Sequence, residues 1–183
     1  MKKIPTIFKR NEESRNLVTS EPNDACGWVF AGEGIATRKY DGTCVLFKDG
    51  VMYKRREVKK GKIAPDNFIL VDYDPITEKR VGWVPVDHDA SGDRHHTEAL
   101  VNYPDCLDDG TYELLGPKVN KNQEEYVSHG LMRHDCAEVY DGVERTFTGI
   151  RDFLADKPIE GIVFHHPDGR MAKIKKRDFG LRR

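Results

Sequence analysis

Residues 36–57 read ATRKYDGTCVLFKDGVMYKRRE, and this stretch predicts a β-hairpin. Thr43 to Phe47 is β-branched and apolar, Asp49-Gly50 is the dipeptide that most strongly signals a two-residue turn, and Val51 to Arg55 returns. A two-residue turn sets Lys48 opposite Val51 and Cys44 opposite Arg55. Lys39 stands on the lead-in, with Asp41 and Gly42 directly after it. A lysine so placed is a candidate nucleophile. A free lysine amine has a pKa of about 10.4 and is protonated at neutral pH. Burial and neighbouring cations lower that value and expose the lone pair. The Lys-x-Asp-Gly pattern taken alone also describes a surface lysine beside a turn, so the decision falls to the rest of the chain.

The chain has 183 residues, 38% of them hydrophobic and 33% charged, enough for a packed core under a polar surface. No apolar run approaches the roughly 18 residues of a membrane span, and the N-terminal MKKIPTIFKR holds no signal-peptide core. No membrane partner is expected. Cys26, Cys44, Cys106 and Cys136 form no C-x-x-C pair. They suggest a reducing, cytoplasmic setting without a disulfide framework. A net charge of −1 argues against a uniformly basic nucleic-acid coat. The end of the chain differs: Arg170, Lys173, Lys175, Lys176, Arg177, Arg182 and Arg183 stand against Asp178 alone. Such a tail is either a solvated end or the footprint that a phosphate backbone requires.

Strand-like stretches dominate. Trp28-Val29-Phe30 and Gly34-Ile35-Ala36 read as strands leading to Lys39. Phe68 to Tyr73 and Val81 to Val86 read as strands around a turn at Asp74-Pro75. Residues 59–65 form a basic loop and residues 88–96 a polar one. Glu113 is a carboxylate inside an otherwise apolar strand, and so either paired or functional. Asn120, Asn122 and Gln123 make a further polar loop. Thr148 is expected to cap a short helix that carries Ile150, Phe153 and Leu154 on one face and ends at Pro158. Asp168-Gly169 reads as a second two-residue turn, pairing Phe164 with Lys173 and Ile162 with Lys175. Glu160, Ile162 and Phe164 would then share a face with both lysines, and a one-residue slip would reverse that. The strands do not alternate with helices, which points to an α+β fold of antiparallel sheets with short flanking helices. There is no G-x-x-x-x-G-K-[ST] loop, so any nucleotide must be held by side chains on strands. His95-His96, His165-His166 and His134-x-Cys136 each lack the second ligand pair of a closed zinc site.

Lys39-x-Asp41-Gly42, Arg55, Tyr112-Glu113, Glu160-Gly161-Ile162-Val163 and Lys173-x-Lys175 follow one another along the chain. In that order they resemble the nucleotidyl motifs of the covalent nucleotidyltransferase superfamily of DNA ligases, RNA ligases and mRNA capping enzymes. Gly82-Trp-Val-Pro-Val, Glu113-Leu-Leu-Gly-Pro and the run from Glu160 through Phe179-Gly-Leu are similar to segments of the small vertebrate-type 5′-to-3′ RNA ligases. The likeness spans roughly Trp28 to Leu181. It implies that residues 1–183 form a single adenylation domain, an ATP-grasp-like ligase fold without an OB domain. It also implies ATP and Mg²⁺ or Mn²⁺ as cofactors, and RNA with 5′-phosphate and 3′-hydroxyl ends as partner in RNA repair. Lys39 would take AMP from ATP, pass it to the 5′-phosphate, and a 3′-hydroxyl would then displace it.

The resemblance also assigns roles. Lys39 is the catalytic nucleophile. Lys173 and Lys175 hold the α-phosphate, and Arg55 reaches ribose or a 5′-phosphate with its planar fork. Glu113 goes to the ribose and, as a hard oxygen donor, to metal; Glu160 goes to the metal. Asp41 and Gly42 complete the nucleophile motif, and Ile162 or Val163 covers one face of adenine. Arg38 lies where several relatives place an acidic residue that reads the adenine amine. The base-stacking side chain is sought in Val127 to Leu131. A nicked-DNA ligase, a GTP-using guanylyltransferase and a non-catalytic RNA-binding module remain as alternatives.

Overall fold

The computed structural model describes residues 2–103 and 106–183. The fold is mixed α+β, mostly antiparallel sheet with a few short helices. In chain order the elements are β1 (Phe8–Arg10), β2 (Val18–Pro22), α1 (Gly27–Phe30), β3 (Ile35–Lys39), β4 (Thr43–Lys48), β5 (Val51–Val58), β6 (Ile69–Asp74), β7 (Lys79–Pro85), α2 (Arg94–Val101), β8 (Gly110–Leu115), β9 (Gly130–Arg133), α3 (Phe147–Ala155), β10 (Gly161–His165) and β11 (Met171–Lys175). Contacts divide the chain into two compact units. One is built from Asp41–Cys136; the other combines Ile4–Tyr40 with Ala137–Arg183.

The first unit is a six-stranded sheet in the order β6-β7-β5-β4-β8-β9. Its organising hairpin is the expected one. Lys48 pairs with Val51, and the register runs back to Val45 opposite Lys54. Asp49 (φ 51°) and Gly50 (φ 77°) both adopt the left-handed conformation of a two-residue hairpin turn. Val45, Met52, Tyr112 and Leu114 form the core of this unit with Ala99 of α2. Residues 88–96 are not all loop: Arg94, His95 and His96 open α2, after a 3-10 turn at Ser91–Asp93. Buried Asp93 fixes that junction, accepting from the Asp87 backbone N at 2.9 Å and from Lys54 Nζ at 2.5 Å.

The second unit holds the two-stranded sheet β1-β2 and the three-stranded sheet β11-β10-β3. Phe8, Val29, Ile150, Leu154, Ile162, Phe164 and Ile174 fill its core. Trp28-Val29-Phe30 is helical rather than extended. Asn23 Oδ1 accepts the Ala25 N–H at 3.1 Å and starts a 3-10 turn that α1 continues. The cap of α3 is Thr146, not Thr148; its hydroxyl accepts the Gly149 N–H at 3.0 Å.

The second hairpin differs from expectation by one residue. Val163 pairs with Lys173, and Ile162 with Ile174. The Gly169 N–H donates to the His166 carbonyl at 2.9 Å, which places Pro167 second in a four-residue turn, and Gly169 follows at φ 89°. Proline favours that second place, and a left-handed residue after such a turn makes a three-residue loop, not a two-residue one. The slip moves every side chain to the opposite face. Ile162 and Phe164 are wholly buried in the core, so they do not share the lysine face, and the residues of β10 that do are Gly161, Val163 and His165.

Candidate active site

Lys39 ends β3 and Lys175 ends β11, and each lies directly across from Gly161 of β10. The three residues therefore stand in one row across the sheet. Gly161 has no side chain to separate the lysines, and none would fit. A Cβ there would lie 2.1 Å from the Ile174 carbonyl oxygen and 2.8 Å from Lys175 Cα. Glu160, one residue earlier, reaches over this gap. Its Oε2 is 2.5 Å from Lys39 Nζ, and its Oε1 accepts from Lys175 Nζ. Lys39 Nζ also donates to the Tyr40 carbonyl at 3.2 Å. The side chains of Lys39, Glu160 and Lys175 are only 18%, 11% and 17% exposed. Burial pushes the Glu160 carboxyl upward, but Lys39 and Lys175 outweigh it and hold the group below its ordinary 4.5.

Lys173 lies one row on, across Val163 from Thr37, on the same face as Lys39 and Lys175. Arg38 points to the other face of β3. Its guanidinium lies 4.7 Å from the centroid of the Tyr40 ring and 3.6 Å from Glu138 Oε2, and its backbone N–H donates to the Glu138 carbonyl at 2.8 Å. An acidic side chain thus stands beside residue 38, supplied by another part of the chain.

Asp41, Gly42, Arg55 and Glu113 belong to the first unit. Glu113 pairs across the sheet with Cys44. Its Oε1 accepts the Gly42 N–H at 3.0 Å, and its Oε2 lies 2.9 Å from His134 Nε2, whose Nδ1 faces Thr111 Oγ1 at 2.9 Å. Gly42 is held tightly: a Cβ on it would meet the Leu114 carbonyl oxygen at 2.3 Å and Glu113 Cγ at 2.7 Å. Asn120 Nδ2 donates to Asp41 Oδ1 at 2.9 Å and to the Gly42 carbonyl at 2.8 Å, while the Asp41 N–H donates to Glu124 Oε1 at 2.9 Å. Arg55 is exposed on β5, across from Trp83.

The sequence-predicted residues therefore fall into two groups. Lys39, Glu160, Lys173 and Lys175 gather in one unit, and Asp41, Gly42 and Glu113 in the other. Arg55 is not among the residues that hold the Gly42–Glu113 contact. In the Val127 to Leu131 stretch, the one ring is His129, which is buried and stacked on His95 at 4.2 Å. Glu138 and Glu124 were not singled out from sequence, and Asn120 and His134 were read only as part of a polar loop and as a zinc candidate. Each acts through a partner distant in the chain, which local spacing does not reveal. No protein-family model matches the chain, and no curated protein matches it.

Proposed function

We propose that the chain is an ATP-dependent RNA ligase that works through an AMP adduct on Lys39. The observation that supports this reading is the row Lys39–Gly161–Lys175 with Glu160 spanning it, drawn from three strands remote in sequence. Phosphoryl transfer needs positioned charge more than covalent help from the protein. Lys173 and Lys175 share the face of Lys39 and are placed to draw the oxygens of an α-phosphate toward its amine. The attacking form is the neutral amine, so Lys39 separates from Glu160 and releases its extra proton to solvent before the bond to phosphorus forms. The nitrogen lone pair then makes the N–P bond, and the bond to the pyrophosphate oxygen breaks. A 5′-phosphate oxygen next displaces the lysine from that phosphorus. Last, a 3′-hydroxyl oxygen attacks the activated 5′-phosphate and AMP leaves.

Glu160 is the type of donor that Mg²⁺ takes alongside substrate phosphates: one carboxylate with hard oxygens. The cation, when bound, supplies charge neutralisation on the triphosphate. Glu113 holds the Gly42 backbone N–H within its own unit, and the resemblance gives its carboxylate to the ribose. The preference for RNA rests on the resemblance of residues 82–86, 113–117 and 160–181 to the RNA ligases.

Intact mass after incubation with ATP and MgCl₂ tests the reading. One AMP adduct is expected on wild type and none on Lys39→Ala. Equal labelling of the two proteins would refute it. Competition of ATP with GTP, and of 5′-phosphorylated RNA with DNA, separates the ligase from its relatives.

A further inference from the structure

Outside the lysine row, two imidazoles and a carboxylate meet in the first unit without any part in the proposed chemistry. His95 and Glu98 lie three residues apart on α2, and so on one face of the helix. His129 comes from the segment just before β9 and is 4% exposed. One ligand atom from each of the three lies within 4.8 Å of the other two. With zinc bonds of about 2.0–2.2 Å, tetrahedral ligand atoms sit roughly 3.4 Å apart, so modest side-chain rotations close the set.

A second observation points to a ligand. His95 Nδ1 is buried and has no hydrogen-bond partner. Buried polar atoms left in this way are few in folded proteins, and a bound ion is one of the things that satisfies them. His129 Nδ1 faces the Glu98 carboxylate, 2.9 Å from Oε2, a contact that a cation held between them would replace. The backbone is already braced at this point. Asn102 Nδ2 donates to the His129 carbonyl at 2.9 Å, tying the end of α2 to the same residue.

We propose that His95, Glu98 and His129 bind a Zn²⁺ ion, with water in the fourth position. Two imidazoles and one carboxylate are a donor set that zinc uses when it keeps one place open. Thiolate-seeking ions find no sulfur here, and Mg²⁺ and Ca²⁺ prefer all-oxygen sites. The ion would fasten α2 to residue 129, which closes the loop after β8. That loop carries Asn120 and Glu124, which hold Asp41 and Gly42. The ion would brace this loop whether or not Lys39 accepts AMP, and its open position keeps a bound water.

The test uses the untagged full chain, stripped with chelator and titrated with Zn²⁺ against a colorimetric competitor, and with Co²⁺ as a spectroscopic probe. One Zn²⁺ per chain, a rise in Tm on adding it and the visible absorption of tetrahedral Co²⁺ are expected. His95→Asn and Glu98→Gln alter partly exposed or exposed side chains, and circular dichroism checks that both fold. Each should weaken Zn²⁺ binding at least about tenfold and abolish the Co²⁺ band, while Glu12→Gln, at an exposed position of the other unit, leaves both unchanged. Absence of stoichiometric zinc, or affinities in both variants equal to wild type, would overturn the site. The second result would leave Glu98–His129 as an ordinary ion pair.

Discussion

Glu160→Gln is the most telling perturbation of the lysine row. One carboxylate compensates two ammonium groups, and all three side chains are more than four-fifths shielded from water. At 4 Å and an effective dielectric constant near 20, each lysine–carboxylate attraction is worth about 4 kcal/mol before the cost of desolvation. Breaking a buried pair by removing one partner costs about 3–5 kcal/mol, because the remaining charge is left without compensation. Glutamine keeps the shape and two hydrogen-bonding atoms but leaves two like charges facing one another. A loss of about 3 kcal/mol is therefore expected for Glu160→Gln. Lys175→Met leaves Lys39 on the carboxylate and should cost less, about 1–2 kcal/mol. Urea unfolding at pH 7 measures both. Adduct formation on Lys39 in Glu160→Gln should fall by at least about a hundredfold, an activation cost of about 2.7 kcal/mol. A Glu160→Gln protein within 0.5 kcal/mol of wild type, or no less stable than Lys175→Met, would refute the reasoning about charge.

Three further outcomes follow from the same geometry. Glu160 is held below its ordinary 4.5 in the folded chain, so its contribution to stability is present above that pH and is lost as pH falls through the folded value; the gap between wild type and Glu160→Gln in urea unfolding should be constant above about pH 5 and narrow below it. Gly42→Ala forces a Cβ to 2.3 Å from a backbone oxygen and should destabilise by about 3 kcal/mol, whereas Gly27→Ala, helical and with nothing within 4 Å, should gain about 0.5 kcal/mol; thermal unfolding compares the two. Asp93→Ala strips half-buried Lys54 and the Asp87 N–H of their buried acceptor and should cost about 2 kcal/mol by the same measurement, with Asp93→Asn intermediate.

What was legible in the sequence follows the range of the forces involved. Asp49-Gly50 determines its own turn, because both residues tolerate the left-handed conformation a two-residue loop demands. Asp168-Gly169 carries the same two letters, but Pro167 ahead of it recruits a longer loop and shifts the register. Three apolar residues at 28–30 fit a strand or a helical turn equally well, and the Asn23 cap decides. The short helix α2 is rich in histidine and charge, so no apolar stripe announced it. At the site, the order of motifs named Lys39, Glu160, Lys173 and Lys175 without saying how they meet. The acid beside Arg38 was invisible, because Glu138 arrives from a hundred positions downstream.

Loop length, not residue type, determines which side chains meet at this row. With a two-residue turn at Asp168-Gly169, Ile162 would lie across from Lys175 and a β-branched side chain would stand against it. With the three-residue loop, Gly161 occupies that place and the carboxylate before it spans both lysines. The same shift sends Ile162, Phe164, Ala172 and Ile174 together into the core. Burial of those four side chains amounts to several kcal/mol at about 25 cal/mol per Å², far more than the lysine–carboxylate contacts contribute after desolvation. The apolar face of the hairpin thus holds the register, and the charged face inherits its geometry from it. A substitution such as Ile174→Ala, distant from any phosphate, is then expected to lower adduct formation along with stability, and Lys173→Met to lower adduct formation alone; urea unfolding and intact mass run on the same samples distinguish a loss of register from a loss of charge.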